Sequence, residues 1–368
     1  MLRVALITLG DPGRLTGGYL FHRRIADAAA RHDARLRFYS VPDRPFPLAV
    51  IDGPRVVRAA VAANDVVVLD SIAAAFVGPV LTVRRPGRPL VGMLHQPPGG
   101  IDHRPPRATL QAALDQLAYR PARRLLAASD ALAVELTERW GIAAARVRVV
   151  PPGRDVAPNH PHTVRLDLRA GRQAALLCVA NWVERKGVHS LLDAFAGLPA
   201  DSATLHLVGD NRVDAEYSER LRARLRLPDL LGRVVVHGPL PLDRVADLYA
   251  SADVFVLASV KEPYGTVYGE AMASGLPVVG WRAGNLPYLA EDGKEGLVVP
   301  PGDEAALRAA LARLIADEPL RLRMGAAARE RALSRPTWAD TAALFYGSLR
   351  QEVGGSDVYL LPSYRSTT

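Results

Sequence analysis

Short apolar runs alternate with mixed apolar and polar segments along most of this chain. "RVALITL" near the start is almost wholly apolar, the pattern of a strand buried on both faces. "GYLFHRRIADAAARH" then carries its apolar residues at helical spacing. The beat continues through "ARLRFYSV", a helix over 53–63, the strand "DVVVLD", a helix over 71–83 and "PLVGMLH". A Pro/Gly loop, a helix over 107–118, "RRLLAAS", the helix "DALAVELTERWG" and "RVRVVPPG" complete the first half. Strands of this kind separated by helices predict a parallel sheet covered on both faces.

"PPGRDVAPNHPHTVRLDLRAGRQ" (151–173), rich in Pro, Arg and His, breaks the rhythm. The alternation restarts at "AALLCVAN", with helices over 187–197 and 214–226, the strands "ATLHLVG", "RVVVHG", "VFVLAS", "PVVGW" and "GLVVP", and helices from 303 to about 352. The fold class predicted is α/β, two tandem Rossmann-like parallel-sheet domains facing a cleft. The boundaries predicted are an N-terminal domain over 1–155, a linker over 156–173 and a C-terminal domain over 174–335. A helix over 336–352 could cross back to the N-domain, and a tail over 353–368 shows no clear pattern. Open parallel sheets bind ligands outside the C-terminal ends of their strands.

Composition narrows the class. The chain has 368 residues, 49% hydrophobic and 23% charged, as suits a soluble globular protein of two domains. The single cysteine, Cys178, excludes an internal disulfide framework and reads as a core residue in a reducing compartment. Met1 runs directly into a strand, and no apolar run has transmembrane length, so the expectation is a cytoplasmic protein. A formal charge of +8, carried almost entirely by arginine, points to anionic ligands: nucleotide phosphates, or anionic lipid as a peripheral contact at the inner membrane face. No zinc spacing or RNA-binding motif accompanies it, so nucleic acid is not expected.

Candidate chemistry sits in the loops after strands. "GDPGRLTGGY" places Gly17 and Gly18 before a helix start, where backbone amides can approach an anion. It lacks the G-x-G-x-x-G of dinucleotide sites. His95 ends the strand "PLVGML". Arg185 and Lys186 precede Gly187 and a helix start, a placement unfavourable for cations unless an anion sits there. "VFVLASVKEPYGTVYGEAMASGLPVVGW" leaves a buried strand, presents Glu262, turns through Tyr264, Gly265 and Thr266 with their backbone N–H groups, and reads as placing Glu270 at the start of a helix, where a carboxylate is favoured. Two carboxylates that can grip hydroxyl pairs, separated by an anion-friendly turn, describe a nucleotide-sugar site.

With these residues in view, the chain resembles the retaining glycosyltransferases of the GT-B fold, family 4, over nearly its whole length. "EPYGTVYGEAMASGLPVVGWRAGNLPYLAEDGKEGLVVPPGD" matches the family's E-x7-E signature and the elements downstream; "VVPPGRD" and "ADLYASADVFVLAS" resemble its interdomain strand end and the segment before the signature. The resemblance implies that Glu262 contacts the donor sugar, Glu270 holds the ribose, Lys186 binds the diphosphate and His95 lies near the sugar. It places Gly17 and Gly18 by the phosphates or acceptor, and the backbone near Gly238–Leu240 by the base. His95, Lys186 and Glu262 are thus the catalytic candidates. The family's usual arginine five residues before the lysine is Asn181 here, with Arg185 as the substitute candidate. The implied reaction is retaining sugar transfer from a UDP- or GDP-sugar, a substrate and not a cofactor, to an unidentified acceptor hydroxyl. No D-x-D motif occurs, so no essential metal is expected. The other readings are a non-catalytic nucleotide-sugar or carbohydrate-binding protein, a sugar-nucleotide epimerase, and a glycoside phosphorylase, for which only three lysines are on offer.

Overall fold

A computed structural model describes residues 1–13, 17–84, 86–154 and 164–354. Its chain divides into two compact units: Met1–Arg154 joined by the segment from Pro336 onward, and the segment that ends at Arg335.

The first unit is built on β1 (Leu2–Leu9), β2 (Ala34–Val41), β3 (Val66–Asp70), β4 (Leu90–Leu94), β5 (Arg124–Ala127) and β6 (Val147–Val149). They form one parallel sheet in the order β2-β1-β3-β4-β5-β6. Because side chains alternate along a strand, the apolar runs feed two cores, one on each face. Ala5, Ile7, Val67 and Leu69 enter one; Val4, Leu6, Val66 and Val68 enter the other. The second core is closed partly from far along the chain. Ala342, Phe345, Tyr346 and Leu349 of the helix Trp338–Val353 pack there beside Phe21 and Ile25 of the helix Gly17–Ala28. The Tyr346 hydroxyl donates to the Ile25 carbonyl at 2.8 Å. A capping box starts the returning helix, with Thr337 and Asp340 each accepting from the other's backbone. Gly153 admits this start: a Cβ there would lie 2.3 Å from the Trp338 nitrogen.

The second unit contains β7 (Ala174–Val179), β8 (Ala203–Val208), β9 (Val234–Gly238), β10 (Val254–Leu257), β11 (Val278–Trp281) and β12 (Gly296–Val299). Its parallel sheet runs β12-β11-β10-β7-β8-β9, the doubly wound order in which the chain reverses direction between β7 and β10. Ligands of such sheets bind at that reversal, beyond the strand C-termini. One continuous core serves the unit, and Cys178 is buried in it, its thiol pushed up to about 12 by that burial.

The region read as a linker is different from residue 164 on. Leu168 is buried in the core of the second unit, and Arg169 bonds Asp253 through two nitrogens at 2.9 and 2.7 Å. Apolar positions among the polar ones anchor this stretch. Residue 155, residues 156–163 of that linker, and 355–368 of the tail lie outside the described residues. Among the described residues no helix is long and apolar enough to cross a membrane.

Phe345→Ala removes a fully buried ring from the core that the returning helix closes. It should destabilise the first unit by about 3–5 kcal/mol. Denaturant unfolding followed by probes in each unit would show an earlier first-unit transition; coincident, unchanged transitions would contradict this packing.

Candidate functional site

In the second unit the loops after β7 and β10, the two strands flanking the reversal, are pressed together by missing side chains. Gly187 has φ +64°, and a Cβ on it would fall 1.9 Å from the Ala258 carbonyl oxygen. Only glycine lets these backbones approach so closely. The Arg185 carbonyl then accepts from the Val260 amide at 2.9 Å and from the Ser259 hydroxyl at 3.0 Å. The Arg185 guanidinium donates to the Lys261 carbonyl at 3.2 Å.

This brings Lys186 against Glu262: the ammonium and carboxylate form a hydrogen-bonded ion pair with only 12% exposure on either side chain. Lys186 therefore has a counter-anion within the chain. The neighbouring Glu184 pairs with Arg220 at 2.9 Å. Glu262 is held from the other side by the turn after β11. Gly284, at φ +55°, passes so near that a Cβ would lie 2.6 Å from the Glu262 carbonyl oxygen. The Asn285 amide donates to that oxygen at 2.9 Å, and its side chain donates to the Tyr264 carbonyl at 2.8 Å.

Gly265, at φ +84°, turns the chain into the helix Thr266–Ala273. Glu270 is the fifth residue of that helix, so the expectation that it opens the helix is corrected. The left-handed Gly265 allows the helix to begin four residues earlier, and the amides near Thr266 occupy the N-terminal end. Glu270 is exposed, and its carboxylate accepts from the buried Tyr249 hydroxyl at 3.1 Å. Gly238 ends β9 at φ +69°, with β8 between it and β7; its carbonyl accepts from the Gly209 amide. Asn181 accepts from the Asp210 amide at 3.0 Å, so its side chain ties the loops after β7 and β8 together.

In the first unit a second cluster forms around His95. Gly17 begins a helix, and Gly18 lies against the imidazole, where a Cβ would come within 3.4 Å of Cδ2. Residues 14–16 of this loop lie outside the described residues. Phe21 packs edge-on to the His95 ring at 4.9 Å. His95 Nε2 meets His22 Nε2 at 3.1 Å, and His22 Nδ1 faces Asp70 Oδ2 at 3.6 Å. Asp70, at the end of β3, accepts from the Thr8 hydroxyl at 2.8 Å, the Ile72 amide at 3.3 Å and the Ser71 hydroxyl at 3.4 Å. Burial holds both imidazoles neutral, each lowered to about 3, and raises the Asp70 carboxyl. Among the described residues these three side chains form a group of metal-ligand type, their donor atoms within 4.8 Å of one another. Sequence reasoning singled out His95 and missed His22 and Asp70. The available signals were an aspartate ending an apolar strand and a histidine on the buried face of the helix.

The loop carrying His95 is pinned by Asp115 of the helix Arg107–Tyr119, whose carboxylate accepts from the Gly99 amide at 2.8 Å. Its other oxygen is buried without a partner.

Residues 2–157 match the family model described as Glycosyltransferase Family 4, and residues 167–331 match Glycosyl transferases group 1. Among curated relatives, the D-inositol 3-phosphate glycosyltransferase of Corynebacterium urealyticum is 31% identical over 255 residues, 66% of this chain and 59% of the relative. That of Xylanimonas cellulosilytica is 34% identical over 237 residues, 60% of this chain and 56% of the relative. The matches thus span little more than half of these relatives' length. Among solved structures, sucrose-phosphate synthase from Thermosynechococcus elongatus superposes with a TM-score of 0.80 at 23% identity, covering 95% of this chain and 99% of that one. HepE from Anabaena, in complex with UDP and glucose, superposes with a TM-score of 0.76 at 23% identity, covering 95% and 100%. These likenesses establish the fold, two parallel α/β sheets of the GT-B class.

Burial pushes the Asp115 carboxyl from 3.8 up to about 7, against the bond from the Gly99 amide. The unfolded chain ionises this group first as pH rises, so its contribution to stability falls between about pH 4 and 7. Asp115→Asn removes that loss. Relative to wild type the variant should gain up to about 4 kcal/mol across this window, beyond any constant offset. Urea unfolding at several pH values checks it; a pH-independent difference would contradict the burial of an ionisable Asp115.

Proposed function

The chain belongs to the group 1, family 4 glycosyltransferases, and on that premise we propose that it moves a sugar from a nucleoside diphosphate sugar to an acceptor hydroxyl with retention at the anomeric carbon. The observation that carries this reading is the paired Lys186 and Glu262 at the β7/β10 reversal, with Glu270 one helix turn beyond the Gly265 bend.

Glu262 neutralises Lys186. An arriving diphosphate competes for the ammonium with more negative charge, and the freed Glu262 turns its oxygens to sugar hydroxyls. Glu270, oriented by Tyr249, accepts from the two ribose hydroxyls. As the bond between the anomeric carbon and the phosphate oxygen breaks, charge collects on the departing diphosphate. Lys186, Arg185 and the amides at Tyr264, Gly265 and Thr266 are the groups to stabilise it, positive charge arranged beforehand in a partly dry site. The acceptor oxygen attacks the same face, and its proton passes to the departing phosphate. Double displacement requires a carboxylate as nucleophile at the anomeric carbon; Glu262 and Glu270 serve binding instead. With protein cations assigned to the leaving group, the reaction is read as metal-independent. UDP-sugars are the leading donors because HepE, which shares the fold, was captured with UDP and glucose. A phosphorylated acceptor suits both the chain's net charge of +8 and the inositol phosphate named for its relatives.

Calorimetry with UDP-, GDP- and ADP-sugars, with donor hydrolysis followed in parallel, tests the proposal. One nucleotide should bind selectively. Glu270→Ala, which removes hydrogen bonds to a charged group, should weaken it roughly 10- to 100-fold. Binding with no turnover in the presence of any acceptor would favour a non-catalytic nucleotide-sugar protein, and no binding at all would overturn the donor site.

A further inference from the structure

The loop after β4 is fastened at two points. Its first residue, His95, donates its amide to the Ser71 hydroxyl at 3.2 Å, just past the end of β3. Its tip turns at Gly99 and Gly100, at φ +91° and +75°, and rests on the helix Arg107–Tyr119. That contact is close: a Cβ on Gly99 would lie 2.8 Å from the Ala108 carbonyl oxygen and 3.2 Å from the Ala112 Cβ. Asp115 of the same helix holds the tip, its Oδ2 accepting from the Gly99 amide at 2.8 Å. The residue is 2% exposed, and its Oδ1 is buried with no partner among the described residues. One helical turn on, the Tyr119 hydroxyl is buried and also lacks a partner there. The elements packed on this face bring no cation. The helix Ala74–Val83, whose Gly78 lies against the Leu114 carbonyl, and β4, whose Gly92 lies against Tyr119, contain no titratable residue. Asp70, at the end of β3, acts with Asp115 on Tyr119 and can add only a like charge. In the loop, Arg104 is exposed, and His103 interacts with Asp102 and Arg107. An ionised Asp115 would thus be a buried charge with a single donor, a costly arrangement.

We infer that Asp115 is a proton-controlled clasp: its neutral carboxyl seats the loop 95–100 on the helix Arg107–Tyr119, and its ionisation favours lifting the glycine tip away. A neutral carboxyl accepts from the Gly99 amide through its carbonyl oxygen. An ionised one gains by bringing its unpartnered oxygen into solvent, and the two glycines beside it are the part of the chain freest to move. The closed state holds the carboxyl near 7, while an exposed carboxyl in the open state ionises near 4. The open state therefore loses its proton first as pH rises. Opening should grow about tenfold per pH unit between about 4 and 7 and level off above. The clasp does not depend on the sugar-transfer reading. It sets how firmly the stretch that begins at His95 is held.

Amide hydrogen exchange of the full chain, read residue by residue by NMR between pH 5 and 8.5, tests the clasp without substrate or turnover. After correction for the intrinsic rate, Gly99 protection should fall about tenfold per pH unit up to about 7 and then stay level. Low urea should leave it unchanged, because little surface is exposed, while the buried β4 residue Met93 loses protection with urea. In Asp115→Asn, whose side-chain oxygen keeps the Gly99 bond and cannot ionise, the pH slope should vanish. In Asp115→Leu, which has no acceptor, Gly99 should exchange faster at pH 5 and again show no slope. The Asp115 carboxyl carbon, followed by 13C NMR in wild type, should titrate near 7. Wild type alone can refute the clasp. Gly99 protection that is flat with pH overturns it, as does a urea dependence equal to that of Met93 or a carboxyl midpoint near 4. An equal pH slope in Asp115→Asn overturns the assignment to Asp115.

Discussion

The close approach of Gly187 to the Ala258 carbonyl is the contact from which the second unit's site follows. A methyl group at residue 187 would occupy the space of a backbone oxygen, and the backbone there is left-handed. With glycine, the loops after β7 and β10 share hydrogen bonds through the Arg185 carbonyl. That places a lysine and a glutamate from segments 76 residues apart in one ion pair. Gly284 repeats the device from the side of β11, and Asn285 ties Glu262 and Tyr264 into the same turn. Three loops are thus joined by backbone contacts, and the charged side chains ride on them.

Electrostatics then sets what the two clusters can do. Lys186 and Glu262 are each mostly withdrawn from water, so either left alone would be an uncompensated charge, a loss of about 3–5 kcal/mol. Paired, each charge compensates the other. The His22–His95 pair uses the opposite arrangement: burial holds both rings neutral, beside an Asp70 carboxyl that burial also pushes toward its neutral form. One site stores a pair of charges and the other suppresses charge, each at the C-terminal end of a parallel sheet.

Much of the fold was legible because fully buried parallel strands are apolar at every position. The strands beginning at Leu2, Val66 and Ala174 stand out for that reason, as do the helices whose apolar faces repeat at helical spacing. Glu262 and Lys186 were legible as residues, since each follows an apolar strand. Their mutual pairing was not, because it depends on which strands are neighbours, and sheet order is a long-range property. Glu270 was placed at a helix start because the small residues after it look helical; that Gly265 would adopt a left-handed backbone and start the helix at Thr266 is a turn geometry decided by packing on Leu289 and Tyr268. His22 and Asp70 were missed because a lone histidine in an amphipathic helix and an aspartate after a strand are each ordinary. Only the sheet order β1-β3-β4 sets their backbones side by side. The burial of Leu168 was hidden by the prolines and arginines around it.

A structure of the protein crystallised with UDP or GDP tests the central claim most directly, that Lys186 and Glu262 mark a diphosphate site. Expected is a diphosphate oxygen within hydrogen-bond distance of Lys186 Nζ, the ion pair opened, and Glu270 on the ribose hydroxyls. A nucleotide bound elsewhere with Lys186 still on Glu262 would contradict it.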